Sequence, residues 1–138
     1  MSYGSAAGVG ALSALYSDNG TFTISTTPTL AQVSGWLDQV SSLIDSALAD
    51  AGFVTPITIA AIVKELDLLA NTLTNDLVDY SHKAGRFYPD QALHTNPNPI
   101  IAISRDLHKW IEMKAVGFEL QGATKVGTGR NVATFDML

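Results

Sequence analysis

The sequence predicts an all-α protein: a small bundle of three long helices plus a short N-terminal helix, with an extended C-terminal arm. Apolar residues recur at three- and four-residue steps in three long segments, which is the period of amphipathic helices. A chain of 138 residues also has the size of one domain with one core. We therefore expect a helical domain over residues 1–120 and the arm over residues 121–138.

The N-terminal stretch is rich in small residues and predicts only a weak first helix, over Ala6 to Leu15. Glycines interrupt this stretch, and each glycine inside a helix costs ~1 kcal/mol relative to alanine. The segment Ser17 to Gly20 has turn composition, and the β-branched and aromatic residues from Thr21 to Ile24 predict a short extended piece.

The second predicted helix, from Leu30 to Ala51, has the clearest local signals. Thr29 and Gln32 have the spacing of a capping box, in which two side chains satisfy the free N–H groups of a helix start. Gly52 stands after the last periodic residue, where a left-handed backbone favours glycine. The apolar stripe consists of Leu30, Val33, Trp36, Leu37, Val40, Leu43, Ile44, Ala47 and Leu48.

Two further helices are predicted after Gly52. Pro56 follows Thr55 and is expected to start a helix that runs to Ser81, since proline suits the first helical position. Polar residues around Asn71 weaken the middle of that helix. Residues 85–99 are rich in proline, glycine and asparagine and predict a loop, after which a helix runs from Pro99 to Leu120. Its stripe consists of Ile100, Ile103, Leu107, Trp110, Ile111 and Lys114.

The tail from Gln121 to Leu138 has no helical period but ends in apolar residues. Glycines and threonines give its first part flexibility, and an apolar tip after a flexible stretch is typical of an arm that docks on a neighbouring subunit. Two other interpretations stay open: the tip folds back on its own domain, or it is disordered. The predicted partner-contact residues are Val132, Phe135, Met137 and Leu138.

Composition excludes several classes of protein. Hydrophobic residues make up 46% and charged residues 15%, so the chain is not intrinsically disordered. Cysteine is absent, which excludes disulfides and thiolate chemistry. The net charge of −5 argues against binding duplex DNA by phosphate neutralisation. No apolar run approaches the ~20 residues of a membrane span, and the N-terminus lacks the basic region of a signal peptide, so we expect no membrane contact.

Charge is distributed unevenly along the chain. Residues 1–80 hold one basic residue against eight acidic residues, a net charge of −7, and residues 81–138 hold seven basic against five acidic residues, a net charge of +2. Such asymmetry is typical of a protein with two faces that meet different neighbours, although a small domain can also show it by chance.

No motif for catalysis or cofactor binding is present. The stretch from Gly122 to Thr128 has the glycine spacing of a phosphate loop, but threonine replaces the lysine that such a loop requires. The three histidines have no metal-ligand spacing, and Asp38 and Asp45 are interpreted as a solvated helix face. We therefore expect neither enzymatic activity nor a cofactor or metal.

One face of the last helix combines Arg105, His108, Lys109 and Glu112. Such a face is most often simply solvated. The alternative is that Arg105 and Lys109 face the lumen of an assembly or contact nucleic acid.

Residues 3–70 resemble the head–tail connector, or adaptor, proteins of tailed bacteriophages. The resemblance rests on Tyr3, Phe22, the helix start Thr27-Pro28-Thr29-Leu30, the Ile44-Asp45-Ser46-Ala47-Leu48 turn, the stop at Gly52-Phe53 and the restart at Thr55-Pro56. These are small and apolar residues in a fixed order, without a chemical signature. No family resemblance is found for residues 81–138.

The resemblance implies a structural virion protein in the neck between head and tail, made in the host cytoplasm. Such a protein forms a ring, commonly of twelve copies, under the portal protein, and extends the DNA channel toward a downstream neck or tail protein. Genome DNA passes through without sequence-specific binding. The competing class is an all-α DNA-packaging module similar to a small terminase, which would need a basic recognition helix. Only Arg105, Lys109 and Lys114 offer one.

Overall fold

A pair of long helices forms the centre of the molecule, and two further helices pack on it. The computed structural model describes residues 3–83 and 99–126. The helices are α1 (Ala6–Leu12), α2 (Leu30–Asp50), α3 (Ala60–Lys83) and α4 (Pro99–Leu120). Within those residues the backbone forms only two isolated β-bridges and no strand. The predicted all-α bundle of three long helices and one short helix is confirmed.

Helices α2 and α3 pack along each other, and both α1 and α4 contact this central pair. Within the described part of the chain α1 and α4 do not contact each other, so they lie on separate flanks of α2 and α3. The two flanks therefore present different surfaces to solvent.

The start of α2 confirms the predicted capping box. The Thr29 N–H donates to Gln32 Oε1 at 3.0 Å, and the Gln32 N–H donates to Thr29 Oγ1 at 3.3 Å. Gly52 follows the helix with a φ of +95°, in the left-handed region that glycine accommodates. The helix itself ends at Asp50, one residue before the predicted end.

The predicted start of the next helix at Pro56 is wrong, because α3 begins at Ala60. Residues before it bond to distant parts of the chain: the Val54 N–H donates to the Thr124 carbonyl at 2.8 Å, and the Ile57 N–H donates to the Tyr3 hydroxyl at 3.0 Å. Ile57 is buried, so packing in the core holds this segment out of the helix.

The N-terminal helix α1 ends at Leu12, three residues before the predicted end. Ser5 caps its start by accepting the Gly8 N–H at 3.0 Å. The predicted turn follows: Asp18 and Thr21 exchange backbone hydrogen bonds of 2.9 and 3.0 Å, and both intervening residues have positive φ.

The core combines side chains from all four helices and from the N-terminal segment. Its largest fully buried side chains are Tyr3, Phe22, Phe53, Phe118, Ile44, Leu48, Ile62, Leu66, Leu107, Ile111, Val9 and Val33. Trp36 and Trp110, both members of the predicted apolar stripes, are half-buried and pack against this cluster.

The chain turns back on the bundle immediately after α4. The Ala123 N–H donates to the Phe118 carbonyl at 2.9 Å, and Lys125 forms an isolated bridge with Phe53 in the α2–α3 connection. Residues 121–126, the start of the predicted arm, therefore lie on the chain's own bundle. The rest of the predicted arm, including Val132, Phe135, Met137 and Leu138, lies outside the described residues.

Candidate interaction surfaces

The N-terminal segment is attached to α3 by a row of polar side chains at every fourth position. The Gly4 N–H donates to Asp67 Oδ1 at 2.7 Å, and the Ser5 N–H donates to Asn71 Oδ1 at 3.0 Å. Further along the row, Ser13 Oγ bonds to Asn75 and the Tyr16 hydroxyl donates to Asp79 at 3.1 Å. The polar residues that weaken α3 in isolation thus provide its contact with residues 4–16.

Tyr3 connects three parts of the chain from a fully buried position. Its hydroxyl donates to Asp45 Oδ1 at 2.6 Å and accepts the Ile57 N–H at 3.0 Å. Its backbone exchanges hydrogen bonds with Ser41 Oγ at 2.9 and 3.1 Å. Burial, together with the hydrogen bond to Asp45, raises the pKa of the Tyr3 phenol well above its usual range. The interpretation of Asp45 as a solvated carboxylate is therefore wrong.

A pocket of about 270 Å³ lies where the end of α1 meets the C-terminal half of α3. We call it the acidic pocket, because Asp76 and Asp79 contribute carboxylates to its lining. Burial and the neighbouring Asp79 charge raise the pKa of the Asp76 carboxyl above its ordinary value. Leu12 and Leu15 form the apolar part of the lining, and the Leu15 side chain is 88% exposed.

The side of α4 that faces away from the core carries three exposed apolar side chains. Met113, Val116 and Leu120 are 71%, 67% and 84% exposed, and their i, i+3, i+7 spacing places them on one stripe of the helix. Lys109 is exposed one turn before Met113 on the same stripe. We call these four residues the α4 outer face.

The inner side of α4 binds the central helices through polar contacts at its edges. Lys114 Nζ lies 2.7 Å from Glu65 Oε1, and His108 Nε2 lies 3.0 Å from Asp50 Oδ2. Hydrogen bonds to the Ser104 carbonyl and to Asp50 raise the pKa of His108 above its ordinary value. An apolar groove of about 330 Å³ lies between α3 and α4, but the charged groups that line it, Glu65 and Lys114, neutralise each other.

The structure places the predicted lumen or DNA-contact residues on the surface. Arg105 and Lys109 are both exposed on α4, and Arg105 Nε lies 3.4 Å from the carboxylate of the adjacent Asp106. His82 Nε2 donates a hydrogen bond to the Thr27 carbonyl at 2.7 Å, and its ring stacks on Tyr16, so the side chain connects parts of the fold. Residues 3–83 and 99–126 contain no group of three side chains suited to holding a metal ion.

Sequence reasoning missed both the acidic pocket and the α4 outer face. The outer face had a detectable signal, because Met113, Val116 and Leu120 are apolar but fall outside the predicted buried stripe. The pocket had none, since it joins residues about 60 positions apart. None of the helices in the described ranges is long and apolar enough to cross a bilayer. No protein-family model, curated protein or solved structure matches this chain.

Proposed function

We propose that this protein is a ring-forming structural subunit, the head–tail connector of a tailed bacteriophage. The observation that carries the proposal is the exposure of apolar side chains on two separate flanks of one small domain. Leu15 on the α1 flank and Leu120 on the α4 flank each leave most of their surface in water. Contiguous exposed apolar surface marks interaction sites, and a subunit with neighbours on both sides would cover both flanks.

The position under the portal is supported by the sequence resemblance of residues 3–70. Several residues that carry the resemblance hold the fold together, since Tyr3 and Phe22 are buried and Asp45 is the partner of the Tyr3 hydroxyl. The residues that carry the resemblance are therefore also residues that attach the N-terminal segment to α2 and α3. We propose that the ring contains twelve copies and that the portal and a downstream neck or tail protein contact its two ends.

Charge supports a role next to DNA without tight binding. Residues 1–80 contain eight acidic residues against one basic residue, and like charges repel DNA at short range. A channel formed by such subunits would let the genome slide through. The last residues, 132–138, would reach the portal or a neighbouring subunit as the predicted arm. In this proposal the protein is made in the host cytoplasm and ends in the virion neck.

The test combines the purified full chain with the portal protein of the same virus. We expect electron microscopy to show closed rings of this protein stacked on the portal, with a continuous central channel. We also expect no retardation of duplex DNA at physiological salt. If the protein does not bind the portal rings, the proposal is contradicted.

The same DNA experiment decides the alternative of a DNA-packaging module. That module requires tight, salt-sensitive binding that is lost on replacing Arg105 and Lys109 by alanine, because their charges would contact phosphates. Lys64→Ala serves as the control, since Lys64 is a base on a different helix. Binding with this pattern would replace the connector proposal.

A further inference from the structure

We propose that the α4 outer face of one copy docks into the acidic pocket of the next copy, so that subunits join head to tail. The inference rests on the proposed ring, to which it assigns the contact between subunits. The occupant of the pocket is thus a second copy of this chain. The two surfaces are complementary in both apolar character and charge.

The apolar parts of the two surfaces are complementary in shape. Met113 projects from a convex helix, while the acidic pocket is a concave site with Leu12 and Leu15 in its lining. Methionine is unbranched and flexible, so its side chain adapts to an irregular pocket. Docking would remove from water the exposed side chains of both surfaces, which a free subunit leaves uncovered.

The charges of the two surfaces are opposite. Lys109 belongs to the α4 outer face, whereas Asp76 and Asp79 lie in the pocket. Burial and the Asp79 charge already disfavour the ionised form of Asp76, so an incoming ammonium group beside Asp76 would favour it. Charge complementarity of this kind selects a partner and fixes its register.

The placement of the surfaces determines the type of assembly. They lie on separate flanks, because α1 and α4 do not touch within the described ranges. A symmetric contact between two α4 outer faces would use the same surface on both copies and would stop at a dimer. A contact between different surfaces leaves a free pocket and a free outer face at the two ends, so more copies can join. Such contacts form a closed ring when the rotation that relates neighbouring subunits completes a full turn after a whole number of copies.

Charge reversal tests the pairing of the surfaces. Asp76→Lys places an ammonium group in the pocket opposite Lys109 of the incoming copy, and Lys109→Asp places a third carboxylate opposite Asp76 and Asp79. Each variant should therefore bind its own copies more weakly. We expect each alone to self-associate at least about tenfold more weakly than the wild type in sedimentation velocity. A 1:1 mixture should recover association, because the two variants can alternate along the assembly. Lys64→Asp makes the same charge change outside both surfaces and should leave association unchanged.

Engineered cysteines test the contact directly, including when association is weak. The natural chain has no cysteine, so each introduced thiol is unique. With Leu15→Cys and Met113→Cys, we expect mild oxidation of the mixed variants to give a dimer in which a disulfide joins position 15 of one copy to position 113 of the other. Either variant alone should give no disulfide-linked dimer. Dimers of Met113→Cys alone, or no linked product in the mixture at the highest concentration reached, would overturn the inference.

The outcomes separate this inference from the proposed function. Rings that form on the portal without the cross-link, and without sensitivity to charge reversal, would contradict the assigned interface and leave the connector role standing. Head-to-tail chains that cross-link as expected but neither close nor bind the portal would support the interface and contradict the connector role.

Discussion

The N-terminal segment and α4 pack on the same two helices by different chemistry. Residues 4–16 combine one fully buried apolar side chain, Val9, with hydrogen bonds to polar side chains of α3 and close approach of glycine backbones. Helix α4 is held mainly by buried apolar side chains such as Leu107, Ile111 and Phe118. The polar attachment requires a fixed backbone position, whereas the apolar attachment depends on the volume that is buried.

The difference also affects the outer surfaces of the two flanks. Because the row from Asp67 to Asp79 is polar, carboxylates surround the α1 flank and form the acidic pocket. Because α4 is anchored by its inner side, its outer side is free to carry apolar residues and Lys109. The two attachments thus produce two unlike surfaces on one small domain.

The largest effect is expected for Phe118→Ala on the apolar side. Phe118 is fully buried, with its ring centroid 6.2 Å from that of Phe53 and 5.8 Å from that of Trp110. Removing it should lower the free energy of unfolding by about 3–5 kcal/mol. The matched control Leu120→Ala removes an exposed side chain and should change it by less than about 0.5 kcal/mol. Equal effects of the two changes in chemical denaturation would contradict an apolar attachment of α4.

The next effect is expected for Gly10→Ala on the polar side. An added Cβ at Gly10 would lie 2.0 Å from the Gly20 carbonyl oxygen, so the backbone must move, at a cost of about 1–3 kcal/mol. The control is Gly35→Ala in α2, where a Cβ meets no atom within 4 Å and should stabilise by about 1 kcal/mol. The midpoints of thermal unfolding of the two variants measure this difference in stability. A stabilising Gly10→Ala would show that the approach of α1 to Gly20 is loose.

Tyr3→Phe removes one hydroxyl group, with its hydrogen bonds to Asp45 and Ile57, and leaves the packing volume almost unchanged. Loss of the hydroxyl leaves the Ile57 N–H without its partner, and an unsatisfied buried donor costs about 1–3 kcal/mol. Urea denaturation should show this loss. Tyr16→Phe, which removes a half-buried hydroxyl bonded to Asp79, is the control and should cost less. If Tyr16→Phe lowered the free energy of unfolding more than Tyr3→Phe, Tyr3 would not be the main connection of the N-terminal segment.

The smallest effect concerns His108, which links α4 to α2 from an exposed position. Its pKa in the folded state is raised, so its contribution to stability is fully present below its unfolded pKa of about 6.5 and is lost as the pH rises through the folded value. Replacement by Gln should therefore lower the melting temperature more at pH 5.5 than at pH 8, and only slightly, because solvent screens the pair. NMR titration of His108 checks the direction, and a lowered pKa would contradict the contact with Asp50.

The sequence predicts those parts of the fold that depend on local signals. The capping box at Thr29, the stop at Gly52 and the bounds of α4 follow from neighbouring residues, and the structure has them all. The start of α3 could not be predicted, because Ile57 bonds to Tyr3, which lies 54 residues earlier. The hydrogen bond of Asn71 could not be predicted for the same reason, since its partner Ser5 lies 66 residues away.

Sequence analysis can predict one of the two candidate surfaces but not the other. Off-stripe apolar residues such as Met113 can be found from the helical period alone. The acidic pocket requires the packing of α1 against Asn75 and Asp76, and a one-dimensional pattern does not contain that packing. Arg105 and Lys109 were singled out by charge, and the structure adds that Lys109 shares its stripe with Met113.

The most direct test of the account is an electron cryo-microscopy map of the protein mixed with the portal protein that the proposed function assigns to it. The account predicts a closed ring in which α4 of each subunit lies against the α1–α3 junction of the next, with Met113 beside Leu15 across the contact. The same map would contradict the account if α4 faced α4 across a two-fold axis, or if the acidic pocket lay open to solvent in the assembled ring.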